Sequence, residues 1–249
     1  MLLILPSSFI INNYNNVLAQ TYPFIASTRT FFDVDTGNLT QEINLPSAKS
    51  ILNINNCPPE LAIHVHGVWA NEDEAEEQTE RVFLSLQKEG SNIPVIGFSW
   101  DSNTTRNRTG WEIAKVIANE NRPILAKFID SFKDECQESK LRIIAHSLGS
   151  RVTLSAIQSL SDNNIAPTTT PSKTITSVHL LGAAVDHEQV SMNAADCNFN
   201  NPLLPCNGEA IKSEIGIFRN LYNPSNDNYA PQETADAWNK ILAFLDKYV

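Results

Sequence analysis

The stretch LRIIAHSLGSRVTLSAIQSL, at residues 141–160, decides the fold class of this chain. Its first part, LRIIA, is an apolar run of the length of a buried strand. Its second part has apolar residues at helical spacing, which would share one face: Val152, Ala156, Ile157 and Leu160. Between the two, AHSLG has the pattern small-x-Ser-x-Gly, with Ala145 where Gly is more usual. The stretch therefore predicts a strand that turns sharply into a helix at Ser147.

Small residues two positions on either side of Ser147 have a mechanical reason. A tight corner brings the residues at 145 and 149 into contact, so only Gly or Ala fits there. Such a corner directs the serine hydroxyl outward at the N-terminal end of the helix, where backbone N–H groups can stabilise an oxyanion. Ser147 is thus a candidate nucleophile, and the alternative is that it is an ordinary helix N-cap.

A second strand candidate, LAIHVHG at 61–67, ends in His-Gly. A glycine after a strand lets the backbone approach a substrate closely, as the loop that supplies an oxyanion donor must do. His66 itself is expected to be a core or supporting residue. The two strand ends together predict one site at the carboxyl edge of the sheet.

Strand and helix patterns alternate along the rest of the chain, which predicts an α/β fold with a mostly parallel twisted sheet and helices on both faces. The acidic run NEDEAEE at 71–77 lacks the alternating ligands of a calcium loop and is expected to start a helix, so no metal site is predicted. Pro123 is expected to kink or break a long helical stretch. The expected strands are 61–67, 93–100, 141–146, 175–185 and 215–223, and the expected helices are 79–90, 112–132 and 234–249.

Composition limits the partners and the architecture. A chain of 249 residues with 42% hydrophobic content is long enough for one sizeable core. Its formal charge of −10 repels phosphate backbones, which argues against nucleic acid as a partner. No apolar run reaches the roughly 20 residues that span a bilayer, so no transmembrane segment is predicted.

The N-terminal residues 1–20 have two interpretations. Their apolar run at 2–11 and the small residue Ala19 resemble a signal peptide, but the positive charges that usually precede the apolar run are missing, so an ordinary N-terminal extension stays open. Residues 21–249 are predicted to form a single domain, which could be truncated at its C-terminus. Four cysteines and three glycosylation sequons, at Asn38, Asn103 and Asn107, favour a secreted or extracytoplasmic location.

Four motifs in this order resemble the α/β-hydrolase superfamily, in particular its lipase- and esterase-like prokaryotic members. They are HG at 66–67, FSWDS at 98–102, AHSLGSRV at 145–152 and LLGAAVD at 180–186, and the resemblance covers roughly residues 55–230. It implies a serine hydrolase that acts by acyl transfer on a small-molecule ester or lipid-like substrate without a cofactor. Ser147 would be the nucleophile, and the backbone amides of Leu148 and Val68 would form the oxyanion hole.

The same resemblance implies an acidic residue after a late strand and a pairing of the cysteines. Asp227 occupies the usual place of the acid, and Asp186 is the second candidate. The family's strand order makes 61–66 and 141–146 parallel neighbours, which places Cys57 and Cys136 at the same end of the sheet. The expected disulfides are Cys57–Cys136 and Cys197–Cys206.

One part of the family pattern is missing. The catalytic histidine should follow the acid in sequence, yet no histidine follows Asp227. His187 is the local substitute, because it lies on a loop at the expected catalytic edge. Three explanations stay open: the sequence ends before the histidine, an unusual histidine completes the site, or the protein is a catalytically inactive hydrolase-like module that binds a ligand or partner.

Overall fold

The computed structural model describes residues 23–162, 175–185, 190 and 207–221. In chain order the strands and helices are β1 (Phe24–Ser27), α1 (Ala48–Leu52), β2 (Glu60–Val65), α2 (Glu72–Lys88), β3 (Val95–Ser99), α3 (Arg108–Glu120), α4 (Arg122–Glu135), β4 (Lys140–His146), α5 (Gly149–Asp162), β5 (Ile175–Leu181), α6 (Gly208–Glu214) and β6 (Ile215–Leu221).

The six strands form one sheet in the order β1-β3-β2-β4-β5-β6, and every neighbouring pair is parallel. The predicted fold class is therefore confirmed. In a sheet of this kind the carboxyl ends of all strands lie at one edge, where open α/β sheets bind ligands. The register pairs Val65 of β2 with Ala145 of β4, so the His-Gly loop and the Ser147 corner leave the sheet side by side.

Helices cover both faces of the sheet among the described residues. On one face, α2 packs its Phe83 and Leu86 against Ala62 and Val95 of the sheet. The other face carries the larger core, in which residues from α3, α4 and α5 pack against β2, β3 and β4. Near-continuous apolar runs in the central strands follow from this arrangement, because both faces of each strand are buried.

Local sequence accounts for most of the element boundaries. Asn71 caps α2 through a capping box with Glu74, so the acidic run does start a helix as expected. The long helical stretch is broken into α3 and α4 at Asn121, with Pro123 in the first turn of α4. The short elements β1, α1 and α6 were not predicted, since four to seven residues carry little periodicity.

Cys57 and Cys136 form a disulfide with a Cα–Cα distance of 5.5 Å, which confirms that predicted pairing. The bond joins the segment before β2 to the end of α4, at the edge of the sheet opposite Ser147. Among the helices of the described part of the chain, none combines the length and apolar character needed to cross a membrane.

Candidate active site

Ser147 lies at a sharp corner between β4 and α5. Its backbone has a φ of 51°, in the left-handed region that residues with a side chain rarely adopt. The Ser147 amide still donates to Leu181 O of β5 (3.0 Å), and its carbonyl already accepts from Ser150 N of α5 (3.1 Å). The chain thus changes from strand to helix within one residue, and the strain falls on the serine.

This geometry differs from that of the helix caps elsewhere in the chain. Ser47, Asn71 and Asn107 all cap helices with negative φ, and each side chain accepts a bond from the amide three residues later. The Ser147 hydroxyl makes no hydrogen bond to any described residue, and the side chain is partly exposed. Ser147 therefore does not behave as the N-cap that the alternative interpretation required.

Two glycines, Gly149 after the corner and Gly67 in the loop after β2, allow the corner to lie close against the end of β2. A Cβ on Gly149 would lie 2.4 Å from the carbonyl oxygens of Val65 and His66, so only glycine fits. A Cβ on Gly67 would lie 3.0 Å from Ser147 Cβ, which shows how closely the loop after β2 approaches the serine.

The two predicted oxyanion donors, Val68 and Leu148, flank this contact. Leu148 precedes α5, so its N–H lies among the free amides at the helix N-terminus. Val68 directly follows Gly67 in the loop after β2. Neither amide donates a hydrogen bond to another residue in the described ranges. Two unpaired donors close to one hydroxyl can stabilise negative charge on a substrate oxygen.

The loop that carries Val68 is fixed on both sides by residues that follow β3. Trp69 has a φ of 60°, and its amide donates to Ser102 O at 2.8 Å. The Ser102 hydroxyl bonds both the amide and the carbonyl of Ala70, at 3.3 and 3.0 Å. The Trp100 indole N–H donates to His66 O at 2.9 Å. These bonds hold the loop in place, and none of them involves the Val68 amide that lies between them.

His66 is committed to this scaffold. Its Nδ1–H donates to Gly67 O (2.8 Å) and its Nε2 accepts from Trp100 N (3.0 Å), while the ring stacks on Trp100 with centroids 5.7 Å apart. Burial, assisted by the charge of Arg29, lowers the pKa of His66 to about 3, so the ring is neutral at physiological pH. With both nitrogens occupied, His66 is not available as a general base.

Two other histidines lie inside the sheet. The His64 ring bonds the Thr79 hydroxyl of α2 at 3.0 Å, and burial lowers its pKa to about 3. His179 of β5 is buried, and its Nε2 lies 3.2 Å from the Ser177 hydroxyl. His146 is exposed at the end of β4, where its Nδ1 faces the Cα of Gly67. None of these three geometries shows a histidine bonded to Ser147.

The other residues singled out from the sequence lie outside the described part of the chain: Asp186, His187, Cys197, Cys206 and Asp227. The acid, the substitute base and the second disulfide therefore stay predictions. No group of three or more His, Cys, Asp or Glu side chains within the described ranges is placed to hold a metal ion.

Sequence reasoning missed the residues that hold the loop that carries Val68. Trp100 and Ser102 belong to the FSWDS motif that supported the resemblance, but no role was assigned to them. Their position directly after a buried strand, beside the His-Gly loop, was the available signal. The motif holds the backbone of residues 66–70 in place through the hydrogen bonds of Trp100 and Ser102.

An all-parallel sheet with a serine corner at its carboxyl edge defines an α/β hydrolase fold. The chain belongs to the family described as "Alpha/beta hydrolase of unknown function (DUF900)", whose model matches residues 50–207. That range starts before β2 and contains both the His-Gly loop and the Ser147 corner. No curated relative matches the chain in sequence.

The chain is similar to several solved structures at low identity. The catalytic core domain of acetyl xylan esterase from Trichoderma reesei has 13% identity and a TM-score of 0.45, over 78% of this chain and 100% of that one. An acetyl xylan esterase has 11% identity and a TM-score of 0.45, over 77% and 99%. Trichoderma reesei cutinase in complex with a phosphonate inhibitor has 15% identity and a TM-score of 0.41, over 80% and 82%.

Proposed function

We propose that this protein is a serine hydrolase that cleaves carboxylic esters by acyl transfer through Ser147. The observation that carries the proposal is the strained corner at φ 51°, which places the Ser147 hydroxyl beside the loop after β2, where it bonds to none of the described residues. Strain of this kind costs of order 1–3 kcal/mol and is concentrated at functional sites. Backbone strain that falls on a serine is therefore the pattern expected of a nucleophile.

The chemistry has two steps. The Ser147 hydroxyl attacks the ester carbonyl carbon, its proton passes to a base, and the carbonyl oxygen gains negative charge that the Leu148 and Val68 amides stabilise. The carbon–oxygen bond to the alcohol then breaks, and the alcohol leaves with the proton. Water hydrolyses the acyl-serine by the same route, which releases the acid and restores the hydroxyl.

We propose that the general base and the acid that orients it come from residues 186–227. The Ala184 amide donates to Ser147 O at 3.1 Å, so the chain just after β5 lies next to the serine. His187 follows three residues later, and three residues span at most about 11 Å. Chain length therefore permits His187 to serve as the base, with Asp227 or Asp186 orienting it.

A catalytically inactive binding module is the second candidate function. It is favoured by a specific observation: the described histidines His64, His66 and His179 make contacts with residues other than Ser147. Without a base the serine hydroxyl is a weak nucleophile at neutral pH. The free amides of Val68 and Leu148 would then bind a carbonyl or anionic oxygen of a ligand without cleaving it.

Labelling by a fluorophosphonate probe and hydrolysis of short and long acyl p-nitrophenyl esters distinguish the two. We expect the wild-type protein to be labelled and active, and Ser147→Ala to lose both properties. Ser150→Ala is the matched control, because the Ser150 hydroxyl is buried in the same helix and has no described partner. If wild type and Ser147→Ala hydrolyse the esters at equal rates, the enzyme proposal is wrong.

We also propose that residues 21–249 form one secreted or extracytoplasmic domain. The Cys57–Cys136 disulfide supports this location, because such bonds persist in oxidising compartments. N-terminal sequencing of exported protein tests it, and a mature terminus near Ala19 is expected.

A further inference from the structure

Arg29 connects the first strand of the sheet to the loop that carries Val68. It lies two residues after β1, and its side chain passes over the end of β3 toward the loop after β2. Its Nε donates to the Ser99 hydroxyl at 2.6 Å. Its Nη2 donates to the carbonyls of Ala70 (3.0 Å) and Asn71 (2.9 Å). One side chain thus ties together three neighbouring segments.

The same guanidinium reaches the histidine of the loop. Nη2 of Arg29 lies 3.4 Å from Nε2 of His66, the nitrogen that already accepts from Trp100. The contact favours the neutral ring, because a positive charge beside Nε2 opposes its protonation. Arg29 therefore acts on both ends of the loop, at His66 and at Ala70 and Asn71.

Arg29 itself is held by a buried carboxylate. Both oxygens of Asp101 accept backbone N–H groups of the segment that follows Arg29, those of Thr30 and Phe32, each at 3.0 Å. Asp101 is 4% exposed and also attracts the guanidinium electrostatically. Hydrogen bonds therefore fix both the backbone that follows Arg29 and its guanidinium group.

The geometry requires arginine. β1 neighbours β3 and not β2, so a side chain from β1 must cross two inter-strand spacings, roughly 10 Å. A planar guanidinium can then donate to Ser99 and to two carbonyls at once, whereas a lysine ammonium is a point charge that cannot reproduce the fork.

We propose that Arg29 is a positioning residue for the oxyanion hole, holding the 66–71 loop so that the Val68 amide points at the substrate oxygen. This inference rests on the proposed hydrolase function. Arg29 touches no reacting atom and acts through the loop backbone. Its loss should weaken stabilisation of the transition state while substrate binding in the ground state is little changed.

The test compares Arg29→Lys and Arg29→Gln with wild type in ester hydrolysis and phosphonate labelling. We expect kcat to fall by about tenfold to a hundredfold with KM nearly unchanged, since loss of one oxyanion donor costs about 10²–10³ and a displaced donor costs less. Arg81→Lys, an exposed arginine paired with Glu77 on α2, is the matched control and should keep the wild-type rate. Circular dichroism and thermal unfolding check that each variant folds.

Two further readouts separate positioning from general destabilisation. Added guanidinium chloride at low millimolar concentration should restore part of kcat in Arg29→Gly, and amide hydrogen exchange at Trp69 and Ala70 should be faster in Arg29→Gln. An active wild type with unchanged kcat in folded Arg29 variants, or a change in KM alone, would overturn the inference. A wild type that is neither labelled nor active would instead remove the proposed function, whatever the exchange rates.

Discussion

Two buried neutral histidines should make the protein markedly less stable in mild acid. His64 and His66 have pKa values lowered to about 3 by burial, against about 6.5 in an unfolded chain. As the pH falls below 6.5, the unfolded state takes up a proton at each position and the native state does not. Stability that is present above pH 6.5 is therefore lost progressively toward pH 3.

The magnitude follows from linkage. Between pH 7.0 and 5.5, a histidine that titrates at about 6.5 only in the unfolded state lowers the free energy of unfolding by about 1 kcal/mol. The two histidines together account for about 2–3 kcal/mol, a large part of the 5–15 kcal/mol typical of a domain. The expected loss is large enough to shift a urea midpoint by about 1 M.

The assay is urea unfolding at both pH values for wild type, His64→Gln and His66→Asn, with the disulfide kept oxidised. Each variant loses hydrogen bonds and is less stable at pH 7.0, but the diagnostic quantity is the difference between the two pH values. That difference should shrink by about 1 kcal/mol in each variant. His146→Asn is the comparison: burial also lowers the pKa of His146, but less than that of the two interior histidines, so this substitution should change the difference less.

Equal pH differences in wild type and His66→Asn would refute the reasoning. His66 would then titrate normally in the folded protein, and its Nε2 could not be the fixed acceptor of the Trp100 amide. His66 would then also be able to act as a general base.

Two other perturbations test the site and the scaffold. Gly149→Ala should destabilise the protein by about 2–4 kcal/mol and abolish phosphonate labelling, because the new Cβ meets two carbonyl oxygens at 2.4 Å. Gly90→Ala is the control: Gly90 has a φ of 83° but open space around it, so the substitution should cost about 1 kcal/mol and leave labelling intact. Cys57→Ser with Cys136→Ser should lower the free energy of unfolding by about 4 kcal/mol, since the bond closes a loop with a sequence separation of 79, and a urea midpoint unchanged by the double substitution would contradict this.

Fold class was predictable because the central strands repeat one signal. LRIIA, LAIHV and the run at 93–100 are mostly apolar, as strands buried on both faces tend to be, and polar or helical segments separate them. β1 gave no such signal, because FIAS is four residues long and its burial comes from pairing with β3. An edge element of that length is specified by its neighbours more than by its own sequence.

The corner at Ser147 was predictable for a different reason. Gly149 has no side chain because the carbonyl oxygens of Val65 and His66 leave no room for a Cβ, and a steric requirement of this kind is visible in the sequence as a glycine. The role of Arg29 was not predictable, since it depends on a sheet order that places β1 next to β3. A long-range contact between residues 29 and 70 leaves no local pattern in the sequence.

The two candidate functions share one requirement, and this narrows what the site can bind. In both, we propose that the Val68 and Leu148 amides, which donate to no described residue, receive a ligand oxygen that carries full or partial negative charge. The Ser147 hydroxyl distinguishes the two candidates: an enzyme loses its turnover in Ser147→Ala, whereas a binding module keeps its affinity.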